Sequence, residues 1–251
     1  MDLGLTDKVA IVTGGASGMG ACVGRLLAQE GVRVILADIQ VEKGRAVAAE
    51  FQAQGHDVRF VEANMSVRPQ VDALINTVLA DGGQIDIMCN IAGPGASSGQ
   101  LDTDEAEYDR QLDGHLRGVF NGVQAVLPHM MERRYGKIIN MGSFTAYGVL
   151  ANIPAYGAAF GGIIAYSKSV ARFAAPYNIN VNTVSPGNIY TPMTAEWLDQ
   201  PGKKEEFAAQ IPIRRIGEPE DVANVYLFLA SDRARHLVGI DINVSGGQLI
   251  T

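Results

Sequence analysis

The sequence predicts a single α/β domain built on a doubly wound parallel sheet of about seven strands, with helices on both faces. Three observations carry this. Short apolar runs, several of them bounded by glycine, recur from one end of the chain to the other, as buried parallel strands do. Helical patterns separate the runs. No linker, repeat or composition break divides the 251 residues, so residues 1–251 are expected to form one unit.

The elements follow in order. Lys8–Val12 is an apolar run ending in Thr13-Gly14-Gly15, a first strand entering a tight turn. A helix follows, patterned by Val23, Leu26, Leu27 and Ala28. Arg33–Ala37 is the second strand, closing on Asp38, and Glu42–Gln54 is a helix ending near Gly55. Val58–Val61 is the third strand and Pro69–Leu79 the helix after it. Ile85–Cys89 is the fourth strand, Asp104–His129 a long helix and Lys137–Met141 the fifth strand. The region from Ala155 to Ala175 is a second long helix, and Ile179–Val184 the sixth strand. Glu218–Ala230 is a late helix and Ile240–Val244 the last strand. Residues 187–212 read as a long irregular stretch holding Met193, Trp197 and Phe207. Long loops in compact domains usually serve function, so this segment is expected to be a substrate lid.

Composition narrows the function classes. The chain is 47% hydrophobic and 19% charged, enough for one large core. A net charge of −7 argues against a nucleic-acid surface. No apolar run reaches the ~20 residues that cross a bilayer, and no charged-then-apolar leader opens the chain, so a cytoplasmic protein is expected. Cys22 and Cys89 are too few and too poorly spaced for a disulfide framework or a metal site, and read as buried thiols.

The first turn reads TGGASGMG over Thr13–Gly20. Its glycines let backbone approach a pyrophosphate, and the N-terminus of the following helix offers free N–H groups. Asp38 lies at the offset where an acid grips the adenosine ribose hydroxyls and repels a 2′-phosphate. No Lys or Arg lies in the Gly-rich loop, which favours NAD over NADP.

These motifs resemble those of the short-chain dehydrogenase/reductase family, and the resemblance spans essentially the whole chain. It rests on TGGASGMG, on Asn90-Ile91-Ala92-Gly93 and on Ser143 with Tyr156 thirteen residues later. It rests also on the stretch from Pro186 to Met193 and the tail from Arg215 to Gly247. It implies a Rossmann-type fold and an NAD cofactor. The cofactor residues implied are Gly14, Ser17, Gly18, Met19, Gly20, Asp38, Ile39, Asn64, Met65, Asn90, Ala92, Gly93, Tyr156, Pro186, Gly187, Ile189, Thr191 and Met193. Asn90, Ala92 and Gly93 would line the adenosine side, and Ile189 and Thr191 would hold the nicotinamide carboxamide. Asn64 stands where the family has Asp facing the adenine amino group.

The resemblance also implies catalytic roles. Ser143 would hydrogen-bond the substrate carbonyl, and Tyr156 would deliver or take the proton. Two family positions differ. Where the family has a Lys that binds ribose and lowers the Tyr pKa, this chain has Phe160. Where a helix Asn links that Lys to solvent through water, in an N-L-x-G-V-F setting, this chain has His115 in HLRGVF. Without a cation, a Tyr of ordinary pKa ~10 is ionised about one part in a thousand at pH 7. His115, with a reference pKa of ~6.5, is the candidate to carry the proton instead. Lys168 lies two helical turns beyond Phe160 and faces elsewhere.

Three readings stay open: an NAD-dependent oxidoreductase with an altered relay, an NAD-binding pseudoenzyme or partner subunit, and a lyase, isomerase or hydrolase on the same scaffold. Pro94, Gly142, Phe144, Tyr147, Tyr190 and Trp197 are the expected pocket walls, suited to an apolar or ring-shaped small molecule. By resemblance, a homodimer or homotetramer would form through the two long helices and the last strand.

Overall fold

The computed structural model describes residues 2–95, 102–148 and 152–250. Seven strands form one all-parallel sheet among these residues. They are β1 (Val9–Thr13), β2 (Arg33–Asp38), β3 (Val58–Glu62), β4 (Ile87–Asn90), β5 (Gly136–Met141), β6 (Ile179–Pro186) and β7 (Asp241–Val244), in the order β3-β2-β1-β4-β5-β6-β7. β1, β4, β5 and β6 are buried along their whole length, because helices cover both faces. The edge strand β7 is only partly covered.

Helices α1 (Gly18–Gln29), α2 (Val41–Ala53) and α3 (Arg68–Gly82) follow the first three strands. The predicted long helix after β4 is α4 (Glu105–Gln111), a π-helical turn (Leu112–Arg117) and α5 (Gly118–Arg133), joined without a break. α6 (Pro154–Ala174) is the second long helix, and α9 (Pro219–Ala230) the late one. α1 packs on α2 and α9, and α3 packs on α5. The π turn packs against α6.

Element boundaries move for identifiable reasons. The fourth strand begins at Ile87 rather than Ile85, because the Ile85 N–H leaves the ladder for His129 Nε2 at 3.1 Å. The sixth runs on to Pro186, since the ladder is carried past the proline by the Gly187 N–H to the Val244 carbonyl, 3.0 Å. The larger correction is residues 187–212. This stretch is not irregular: it forms α7 (Pro192–Leu198) and α8 (Lys203–Gln210). A reciprocal Thr191–Thr194 capping box and Pro192 in the first turn start α7, a signal composed of four residues inside an otherwise loop-like composition.

The sheet order reverses between β1 and β4, which leaves a crevice at the carboxyl ends of these two strands. At the opposite end, the fully buried Asp86 carboxylate accepts from the Val9 N–H at 2.9 Å and pairs with Arg133 at 2.9 Å. Asp86→Ala leaves the buried Val9 N–H unpaired and takes one of three acceptors from Arg133, and is expected to cost about 2–4 kcal/mol. Asp57→Ala, which removes a half-exposed partner of Arg33, is expected to cost under ~1 kcal/mol. Urea midpoints of the two variants, at unchanged slope, check the contrast.

Candidate active site

The crevice at the reversal is a cleft of about 610 Å³. The Thr13 hydroxyl is buried beside it. It accepts from the Ile91 N–H (2.9 Å) and the Ala92 N–H (3.1 Å), tying the end of β1 to the segment after β4. Gly14 turns the chain at φ +70°, with the Ala92 backbone 3.1 Å from where a Cβ would stand. A Cβ on Gly20 would run into the Gly14 carbonyl. These two positions admit only glycine, for conformation in one case and for close approach in the other.

Of the expected cofactor residues, Gly14, Ser17, Gly18, Met19, Gly20, Asp38, Ile39, Asn64, Met65, Ala92, Gly93, Thr191 and Met193 line this cleft. Asp38 is 8% exposed at the end of β2. One of its oxygens accepts from the Ala16 N–H (3.1 Å) and the other from the Gln40 N–H (2.9 Å). The carboxylate therefore holds the first turn to the end of the second strand, with acceptor sites to spare. Ile39, 64% exposed, stands on the rim. Asn64 closes a turn, its Oδ1 accepting from the N–H and hydroxyl of Ser66. The Met65 carbonyl is held by Asn121 at 2.8 Å.

Five expected cofactor residues lie outside this lining: Tyr156 of α6, and four more. Asn90 turns its amide into the interior, donating to Asn140 Oδ1 at 2.8 Å, and Asn140 in turn donates to Ser167 on α6. Its side chain joins β4 to β5 and does not line the cleft. Pro186 and Gly187 are held in and beside the β6–β7 ladder. Ile189 is buried and lines a separate cavity of about 110 Å³ with Ile211 and Ile213.

The catalytic candidates converge differently from the expectation. Ser143 precedes a 3₁₀ turn (Phe144–Tyr147) and caps it. Its Oγ accepts from the Thr145 N–H (3.2 Å) and the Thr145 hydroxyl (2.8 Å), which leaves its own proton to be donated. Tyr156 lies in the first turn of α6. One helical turn on, Phe160 is 2% exposed, with ring centroids 4.6 Å apart. His115, on the π turn, completes a three-ring cluster. It is 5.1 Å from Tyr156 in an edge-on arrangement and 4.6 Å from Phe160.

The electrostatics follow from this packing. Burial pushes the Tyr156 hydroxyl up to about 12, with no cation to oppose it. Burial also pushes His115 down to about 4. Its hydrogen bond to the Pro94 carbonyl opposes that shift and Arg110 adds to it. The expectation of a histidine titrating near neutrality is thus corrected: at pH 7 the ring is neutral. Lys168 is exposed, as its helical phase requires.

The expected pocket walls are also reassigned in part. Pro94 lines the cleft. Gly142 packs its backbone against Ser185 and Thr183 of β6, and Phe144 is buried. The Tyr147 hydroxyl donates to Asp241 (2.7 Å), which also accepts from Ser185. The Tyr190 hydroxyl donates to Asp199 (3.1 Å) under the Lys204 ammonium. Trp197 packs at a tilt against Phe207 from α8. The reading from sequence missed Asp241 and Asp199 as partners, since only folding brings them within reach. It also missed Gly114, whose missing Cβ makes room for Pro94.

Comparison with known proteins agrees with this architecture. A family model described as enoyl-(acyl carrier protein) reductase matches residues 14–248. The chain is 35% identical over 247 residues to (2S)-[(R)-hydroxy(phenyl)methyl]succinyl-CoA dehydrogenase subunit BbsD of Thauera aromatica, covering 98% of each. It is 37% identical over 242 residues to the 3-oxoacyl-[acyl-carrier-protein] reductase FabG of Staphylococcus aureus, covering 96% of this chain and 98% of the relative. The crystal structure of gox2181 superposes with a TM-score of 0.92 at 33% identity, over 97% of this chain and 96% of that one. With the parallel sheet and the glycine turn in place, the chain belongs to the short-chain dehydrogenase/reductase family.

Proposed function

We propose that this chain is an NAD(H)-dependent oxidoreductase that interconverts a secondary alcohol and a ketone on an apolar or cyclic small molecule, with an altered proton relay. The observation that carries the reading is Asp38. Its carboxylate is oriented by two backbone N–H groups at the cleft edge, beside a turn without cations. That arrangement accepts ribose hydroxyls and repels a 2′-phosphate.

The residues fit a dinucleotide. Gly14, Ser17, Gly18, Met19 and Gly20 would hold the pyrophosphate at the start of α1. Asp38 and Ile39 would hold the adenosine ribose, and Asn64 and Met65 the adenine. Ala92 and Gly93 would line the adenosine side, and Thr191 would meet the carboxamide. When bound, the nicotinamide ring supplies or takes the hydride. In the reducing direction, Ser143 donates its free hydroxyl proton to the carbonyl oxygen as a hydrogen bond. Tyr156 transfers its proton to that oxygen and becomes tyrosinate. Reduction draws on the neutral phenol, the form burial favours; oxidation needs tyrosinate, about one part in 10⁵ at pH 7 for a group near 12.

A homodimer or homotetramer and a cytoplasmic location belong to the same proposal. Phe120, Phe173 and Tyr108 are exposed on the long helices, and the edge of β7 is incompletely covered, which supports assembly there. No helix among the described residues is long and apolar enough to cross a membrane.

A second reading, an NAD-binding partner subunit without its own hydride transfer, is favoured by one observation. The place of the cation is filled by packed rings rather than left as a polar gap.

Three measurements check these readings. NADH binding, followed by fluorescence quenching, is expected to weaken about tenfold in Asp38→Asn and to lose its preference over NADPH. With NADH and a panel of cyclic and aromatic ketones, reduction is expected to stay level from pH 6 to 9. Oxidation of the matching alcohols should rise about tenfold per pH unit over that range. Binding without turnover across the panel would establish the partner-subunit reading instead. Phe160→Lys is expected to move the oxidation profile down by more than about one pH unit by favouring tyrosinate. An unmoved profile in a folded variant would show that the relay does not act through position 160.

A further inference from the structure

The geometry points to His115 as a positioning residue rather than a proton carrier. It clamps the Gly93–Pro94 wall of the cleft to the π turn and packs edge-on against the Tyr156 ring. This rests on the oxidoreductase reading for the role of Tyr156, while the clamp itself stands on geometry alone.

The first support is the bond at 2.8 Å between His115 Nε2 and the Pro94 carbonyl. A carbonyl oxygen only accepts, so Nε2 carries the hydrogen and the neutral tautomer is fixed. A relay through an imidazole needs an exchangeable partner at each nitrogen. Here one nitrogen ends on a carbonyl that has no proton to pass on.

The second support is steric. A Cβ on Gly93 would collide with Nδ1 and Cε1 of His115, and a Cβ on Gly114 would collide with the Pro94 ring. Two glycines from distant parts of the chain thus let the loop and the π turn interlock around the imidazole. The loop they hold, Ala92 to Pro94, lines the cleft together with Asp113 and Gly114 of the same turn.

The third is what surrounds the ring. Phe160 offers no polar atom, and Tyr156 meets the imidazole edge-on rather than through its hydroxyl. The groups that bear on its charge are the Pro94 carbonyl, which favours the protonated ring, and Arg110 from α4, which opposes it. A neighbouring cation and burial both oppose protonation, and the ring stays neutral across the physiological range.

The test begins with the wild-type protein and needs no substrate. Nitrogen-15 spectra of the imidazoles, with the His115 signals assigned by their loss in His115→Gln, are expected to show one Nε2–H tautomer unchanged from pH 5.5 to 8. A midpoint near 6.5 would overturn the proposal. His115→Leu, which removes the donor, is expected to weaken NADH binding about tenfold. His115→Gln, which keeps an N–H of similar reach, should recover most of that loss. Equal losses in both variants would overturn the clamp. In the ketone assay, a pH limb between 6 and 7 that vanishes in His115→Gln would restore His115 as the proton carrier. A protein that passes the tautomer and binding tests but turns over no ketone supports the clamp while refuting the proposed activity.

Discussion

The Thr13 hydroxyl is the contact on which the site depends. β1 and β4 are adjacent in the sheet but separated by two strands and three crossover helices in the chain, and the order of the sheet diverges from this pair. One side-chain oxygen accepts two backbone N–H groups from the segment after β4. That fixes the distance between the glycine turn and the Ala92–Pro94 wall. Loss of this contact would leave buried N–H groups unpaired and the two walls of the cleft free to part. Asp38 extends the same logic one strand outward, using both carboxylate oxygens to hold backbone on either side. This part of the cleft is therefore held by side-chain acceptors serving backbone donors.

The other half of the site is a cluster of packed rings. Three rings from two helices pack where the family places a cation and a polar side chain. Desolvation acts on all titratable members in the direction of neutrality, raising Tyr156 and lowering His115. A lone ammonium there would raise the cost of burial but lower the Tyr pKa. The chain has removed both effects together. The two departures from the family pattern, Phe160 and His115, meet in one ring cluster, with centroids 4.6 Å apart. A charged relay left half in place would hold an unpaired buried charge or an unsatisfied amide.

His115 sits on the π turn, from which it meets both the Pro94 carbonyl and the Phe160 ring of α6. π turns are infrequent and cluster at functional sites, which accords with the position of this one between the cleft and the Tyr156 helix. Gly93 and Gly114 supply the space the ring occupies. The exposed face of the same helices carries Phe120, while the buried face carries the site. Assembly through that face would couple subunit contacts to the helix that holds His115.

The sequence alone determined the alternation of strands and helices, the glycine turn, the position of Asp38 and the exchange of cation for Phe160. All of these are local signals. They are apolar runs of strand length, glycines at fixed offsets and a residue one helical turn from Tyr156. The two short helices in residues 187–212 were not legible, because a capping box and a proline carry little weight in a stretch of mixed composition. Tertiary structure alone decided where side chains found partners. Asn90 turned inward to Asn140, Tyr147 to Asp241 and Tyr190 to Asp199. It also decided the state of His115. Spacing placed the imidazole near Tyr156, but its tautomer and charge depend on a carbonyl 21 residues away and on burial by another helix. Those are set by packing between distant segments, which no periodicity in the chain encodes.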